Sequence, residues 1–269
     1  MTQTGPLDAT PIAAILRDVS WYSETRRGAG LNDLRLILHE GEHLGLVGAP
    51  GAGRGPLLRL LAGRLRGWTG IALVLGHALS PDRPAPRRRR RLVALLGRSP
   101  DLVGCHDVAR NVALGRLPHQ GLVASLIGRL SARDRRAIDR AIEETGIAGL
   151  RGRRADALDP GAARLVALAR CLAQEPRLLL VDLMAEAADP MAEDRQLRLI
   201  TTIARARRIT LVFACHHPDL ALRHASRVLL MRNGRAVLSA APGQLDAAER
   251  AQVMRLGGPR GQARLRLVI

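Results

Sequence analysis

A chain of 269 residues is long enough to bury one large core or two small ones. Hydrophobic residues make up 47% of it, yet the aromatics are only Trp21, Tyr22, Trp68 and Phe213, so the core has to be built from Leu, Val, Ile and Ala. The formal charge of +18 raises a nucleic-acid or acidic-membrane partner. However, the arginines are scattered apart from Arg87 to Arg91, and no aromatics interleave with them to stack on bases, so no nucleic acid is expected. A solvated basic face remains, which would also suit a negatively charged membrane surface.

All 42 basic residues are arginine, a uniform choice that points to a G+C-rich coding sequence rather than to local function. Cys105, Cys171 and Cys215 stand far apart with no metal-ligand spacing, the usage of a reduced compartment. The opening MTQTGPLDATP has neither a basic start nor an apolar run, so no secretion signal is read there. No apolar stretch approaches the roughly 18 residues of a spanning helix, and a cytoplasmic protein is expected.

In chain order, Ile12 to Trp21, Leu34 to Leu38 and His43 to Val47 have strand patterns, the last two separated by the turn His39-Glu40-Gly41-Glu42. Arg54 to Leu65 has helical spacing, with Leu57, Leu58, Leu61 and Leu65 on one face. The strand GIALVLG follows Trp68, then a Pro/Arg-rich loop over 80–91 and a further strand from Leu92. Residues 107–157 are polar and helical. Next come a helix over Gly161 to Gln174, an apolar strand over Arg177 to Asp182, a helix over Met191 to Arg207 and a buried strand over Ile209 to Ala214. Val228 to Met231, Asn233-Gly234 and Arg235 to Leu238 make a hairpin. Unbroken apolar strands between helices predict an α/β fold with a parallel sheet covered on both faces. The helical stretch over about 98–160 reads as an inserted lobe, and the Arg/Gly-rich tail after Gln252 as poorly packed.

Three stretches carry the functional reading. They are HLGLVGAPGAGRGPLLRLLAG, LDPGAARLVALARCLAQEPRLLLVDL and LVFACHHPDLALRHASRVLLMRNGRAV, in that order. Together they resemble the phosphate loop, the signature helix with its metal-site strand, and the switch region of ATP-binding-cassette (ABC) ATPases. The middle of the chain is similar to the helical lobe of phosphonate-importer ATP-binding subunits. The resemblance spans about residues 12–245 and implies a P-loop NTPase of RecA-like type. It would have a mostly parallel sheet, an N-terminal antiparallel part and an inserted helical lobe, with the nucleotide-binding domain over 10–250 and a tail over 251–269.

In the loop, Gly48, Gly51 and Gly53, with Ala52 between, allow tight turns that aim N–H groups at phosphate oxygens. Where the family has a lysine and then a hydroxyl that binds Mg²⁺, this chain has Arg54 and Gly55. Arg54 keeps the charge in a wider, planar head. Gly55 offers no metal ligand, and Pro56 lacks an N–H. The resemblance places Asp182 at the carboxylate that holds Mg²⁺ through water, and Leu183 where a glutamate would polarise the attacking water. General-base assistance of that kind is worth about 10²–10⁴-fold. Leu158, Asp159 and Gly161 fall in the signature motif, where Asp159 replaces a serine and reads better as a helix N-cap than as a phosphate contact. The γ-phosphate-sensing glutamine aligns with Gly97 and is lost. His216 falls on the switch histidine, Asp189 on the acid of the subunit-joining loop, and Tyr22 is placed to stack on adenine, with Trp21 or a core role as alternatives.

The expectation is therefore an ATP-binding subunit of a phosphonate-type importer, impaired or inactive in hydrolysis. ATP and Mg²⁺ would bind weakly or not at all. It would work with a membrane permease and a second cassette on the inner face of the membrane. An active phosphonate-uptake ATPase and an arginine-rich nucleic-acid binder on the same scaffold are the alternatives.

Overall fold

The computed structural model describes residues 11–22, 30–119, 130–183 and 190–257. Two sheets organise them. The first is antiparallel, in the order β2-β1-β4-β5, formed by β1 (Ile12–Trp21), β2 (Leu31–His39), β4 (Thr69–Val74) and β5 (His77–Ala78). The second runs β10-β9-β3-β8-β7-β6, from β3 (His43–Val47), β6 (Val93–Leu96), β7 (Leu178–Asp182), β8 (Thr210–Ala214), β9 (Arg227–Arg232) and β10 (Arg235–Ala240). Its five strands from β9 to β6 are parallel, and β10 closes an antiparallel hairpin on β9 through Asn233-Gly234, both at positive φ as such a two-residue turn demands. Strands β3 and β8 are buried at every residue, which is why they read as unbroken apolar runs.

Helix α1 (Arg54–Leu61) lies between the sheets, its leucines in one core cluster with residues of β1, β2 and the inner face of the parallel sheet. A second cluster on the opposite face of that sheet takes up the remaining longer helices. These include α3 (Val108–Ala113) and α4 (Ala132–Glu144) of the lobe, α5 (Pro160–Ala173), α6 (Pro190–Ala206), α7 (Pro218–His224) and α8 (Ala247–Gly257). The first residues after Gln252 belong to α8, and Val253 is fully buried; the remainder of the tail expected to be poorly packed lies outside the described residues.

Two expectations are corrected. Helix α1 stops at Leu61 rather than Leu65, because the chain turns at Gly63 with φ 70°. A Cβ there would fall 2.2 Å from the Arg89 guanidinium. Nor is the arginine run simply a solvated loop. Arg87–Arg90 form a short helix, α2, which inserts Arg89, only 1% exposed, so that Nη2 donates to the Leu61 carbonyl at 2.6 Å. A cation at the carbonyl end of α1 meets the negative pole of its dipole, although burial pulls its pKa down to about 10.

The lobe is tied to the core by a similar device. Arg116 is 1% exposed, and its Nε donates to Asp134 at 2.7 Å while Nη1 reaches the Ala173 carbonyl at the end of α5 and Glu175. Burial raises the Asp134 carboxyl, but the Ser131 hydroxyl and Arg116 outweigh it, and the group titrates below its ordinary range. Removing one partner of a buried pair strands the other charge. Arg116→Met should therefore lower unfolding stability by about 3 kcal/mol in denaturant titration.

His43, in the fully buried β3, is pushed down to about 4 by burial and by nearby Arg205. Between its unfolded value near 6.5 and this folded value the unfolded chain binds more protons, so stability falls as pH falls through that window. His43→Asn should make the stability–pH slope shallower between about pH 6.5 and about pH 5.

Candidate functional site

Strand register brings the candidate residues to one edge. Leu46 of β3 is level with Ala214 of β8, and Ala214 with Asp182 of β7, so the chain leaves all three strands at the same height. The loop 48–53, Leu183 and Cys215-His216 therefore emerge together. At the loop, Gly48 and Gly53 adopt φ of 153° and 106°. A Cβ on Gly48 would lie 2.4 Å from the Met231 carbonyl oxygen, and one on Gly53 2.6 Å from that of Gly30. Only glycine fits at either position. Gly51 is also at positive φ, and the Ala52 amide closes a turn onto Ala49. Gly53 caps α1 with no side-chain bond to the free N–H groups, and Pro56 contributes none. Around Gly55 there is open space for a side chain, so glycine is not imposed there by crowding.

Arg54 does not stand up into solvent. It is 5% exposed, and Nη1 donates to the Cys215 carbonyl at 3.0 Å. Burial lowers its pKa, against the pull of Asp182 and Glu193. Asp182 accepts from Arg98 Nε at 3.1 Å. The resemblance places the γ-phosphate-sensing position at Gly97; the side chain that reaches Asp182 belongs to the next residue, Arg98, while Gly97 supplies only a carbonyl. Arg164 of α5 binds that carbonyl at 3.1 Å, the Arg98 carbonyl at 2.8 Å and the Asp182 carbonyl at 2.7 Å. One guanidinium thus fastens the ends of β6 and β7. Leu183 is 3% exposed, packs in the main core cluster, and its N–H donates to the Ala214 carbonyl.

Beside them lies a carboxylate that sequence reasoning missed. Glu193 of α6, 4% exposed, accepts the His216 N–H at 2.9 Å and comes within 3.7 Å of His217 Nε2. Burial raises its pKa despite these contacts. It belongs to no motif, and its only signal was an acid on the inward stripe of a helix. The adjacent Asp194 is fixed to His224 of α7 at 2.7 Å and to Arg198, and these hold its carboxyl down at about 2.

The remaining sequence candidates are placed as follows. Asp159 is the N-cap of α5, accepting from the Ala162 N–H at 2.9 Å, with Leu158 just before it and Gly161 in the first turn. Tyr22 is 74% exposed at the end of β1, which removes its alternative core role. Trp21 carries the Arg59 guanidinium 5.9 Å from its ring centroid. Asp189 lies outside the described residues.

Residues 31–184 match the ABC transporter family. The chain belongs to that family. It is 35% identical to the phosphonates import ATP-binding protein PhnC 1 of Pseudomonas aeruginosa over 221 residues, covering 81% of this chain and 82% of that protein. It is 33% identical to the PhnC protein of Frankia casuarinae over 233 residues, 85% of this chain and 91% of that one. The solved structure of cbiO1 from Clostridium perfringens, part of the ABC transporter complex cbiONQ, superposes with a TM-score of 0.74 at 22% identity, covering 93% of this chain and 97% of that one. The fold is that of the P-loop ABC ATPases.

Glu193 offers a direct check of this ABC site. A buried carboxyl with a raised pKa destabilises the folded state once ionised, so its cost appears as pH rises. Glu193→Gln keeps an acceptor for the His216 N–H, and its stability relative to the parent should grow as pH rises above the ordinary glutamate value of about 4.3 in thermal melts.

Proposed function

We propose that this chain is the ATP-binding subunit of a phosphonate-type importer, in which it acts as a non-catalytic cassette. The named relatives are phosphonate-import ATP-binding proteins, and 31–35% identity over most of both chains supports the same role here. One observation carries the non-catalytic part: Leu183, the residue after the strand-end carboxylate, is a hydrocarbon packed into the core. It can neither polarise a water nor accept its proton.

No helix among the described residues is long and apolar enough to cross a membrane, so in this reading the chain is held at the inner face by a permease. A groove of about 600 Å³ between β6, the lobe and α5, lined in part by Arg64, Arg66, Arg90 and Arg170, is where we place that contact. Its charge suits an acidic segment of the partner. A second cassette, identical or intact, would complete the assembly, and ATP would bind at residues 48–56 with Tyr22 near the base.

The test is ATP turnover by the purified full chain. No rate above background is expected, and Leu183→Glu alone should not restore one, because position 55 would still lack its hydroxyl. A rate within about tenfold of an ordinary cassette would refute the non-catalytic role.

A further inference from the structure

Magnesium does not fit the donor set of this site. Residue 55 supplies no side-chain oxygen, and Asp182 is already bound by Arg98. No group of three His, Cys, Asp or Glu side chains able to hold a metal ion occurs among the described residues. The place is instead ringed by guanidiniums. Arg54 and Arg164 both lie within electrostatic reach of Asp182 and Glu193, and Arg54 also feels Arg98. A divalent cation would have to displace Arg98 from Asp182 while facing the two fixed positive charges of Arg54 and Arg164, with no side-chain oxygen from residue 55 to help hold it.

Arg98 is differently situated from the other two. Arg54 and Arg164 are committed to backbone carbonyls. The Arg98 side chain is 59% exposed while its partner Asp182 is 14% exposed, and among the described residues Arg98 donates through Nε alone. Both terminal nitrogens are left to an incoming anion, and a planar fork suits two phosphate oxygens.

We propose that Arg98 stands in for the divalent cation, so that the loop and Arg98 together hold the phosphates of a nucleoside triphosphate without metal. The inference rests on reading the chain as a nucleotide-binding cassette.

Calorimetric titration of the full chain with ATP, in excess EDTA and in excess Mg²⁺, tests it. The two affinities should agree within about twofold, and Arg98→Gln should weaken binding in EDTA by about tenfold, the effect of one lost charge-assisted hydrogen bond. A gain of more than about threefold with Mg²⁺, or an Arg98→Gln variant that binds as tightly as the parent in EDTA, overturns the inference and leaves nucleotide binding standing. No binding in either buffer by a chain with native circular dichroism overturns the nucleotide-site reading, and this inference with it.

Discussion

An acid at the end of a buried parallel strand needs a counter-charge, and the origin of that charge decides what else the site can do. Asp182 closes β7, an inner strand of the parallel sheet, level with the ends of β3 and β8, where the low dielectric makes an unpaired carboxylate costly. In this chain the counter-charge is covalently attached. Arg98 binds the carboxylate, Arg164 binds the carbonyl of the same residue, and Arg54 turns inward to Cys215 instead of out to the loop. The three strand ends are held in place by the protein's own cations, so the architecture of the edge does not depend on an added ion.

The same use of guanidinium recurs through the molecule and changes the meaning of its charge. Arg89 meets the carbonyl end of α1, and Arg116 and Arg207 meet carbonyls in the last turn of α5. Arg170 binds the carbonyls of Pro100 and Asp101. Each is a cation placed where helix or loop carbonyls lack partners. With no lysine available, this work falls to a head group that reaches several acceptors at once and is less strongly hydrated than an ammonium. Part of the formal +18 is thereby consumed inside the fold, and the charge alone is no argument for a polyanionic partner.

Much of the scaffold was legible because its signals are local. Strands β1 and β3 match their apolar runs to the residue, and the β9–β10 turn follows from Asn233-Gly234. The glycines of the loop announce a backbone that no Cβ would permit. What the sequence hid depends on contacts between distant segments. Arg89 looks like one member of a basic run until the end of α1 is placed over it. Glu193 looks like any acid near a helix start until His216 arrives from β8. Gly97 and Arg98 are one register step apart, and only the position of Asp182 tells which of them faces the site. The helical content of α8 was concealed by a tail rich in arginine and glycine, although Val253 alone fixes which face is inward.

The residues at the strand edge sit in surroundings that constrain any single change there. Leu183 shares a core cluster with Val47, Val181 and Phe213, so exchanging it for an acid would forfeit about 2 kcal/mol of apolar burial and bury a carboxylate among hydrocarbons. Removing Arg98 would take one hydrogen-bonded guanidinium from Asp182, and a hydroxyl added at position 55 would enter a site still crowded with positive charge. In the proposed non-catalytic reading, an oxygen ligand, a free carboxylate and a polarising acid would have to be introduced together to act, because groups that work as a unit do not contribute independently.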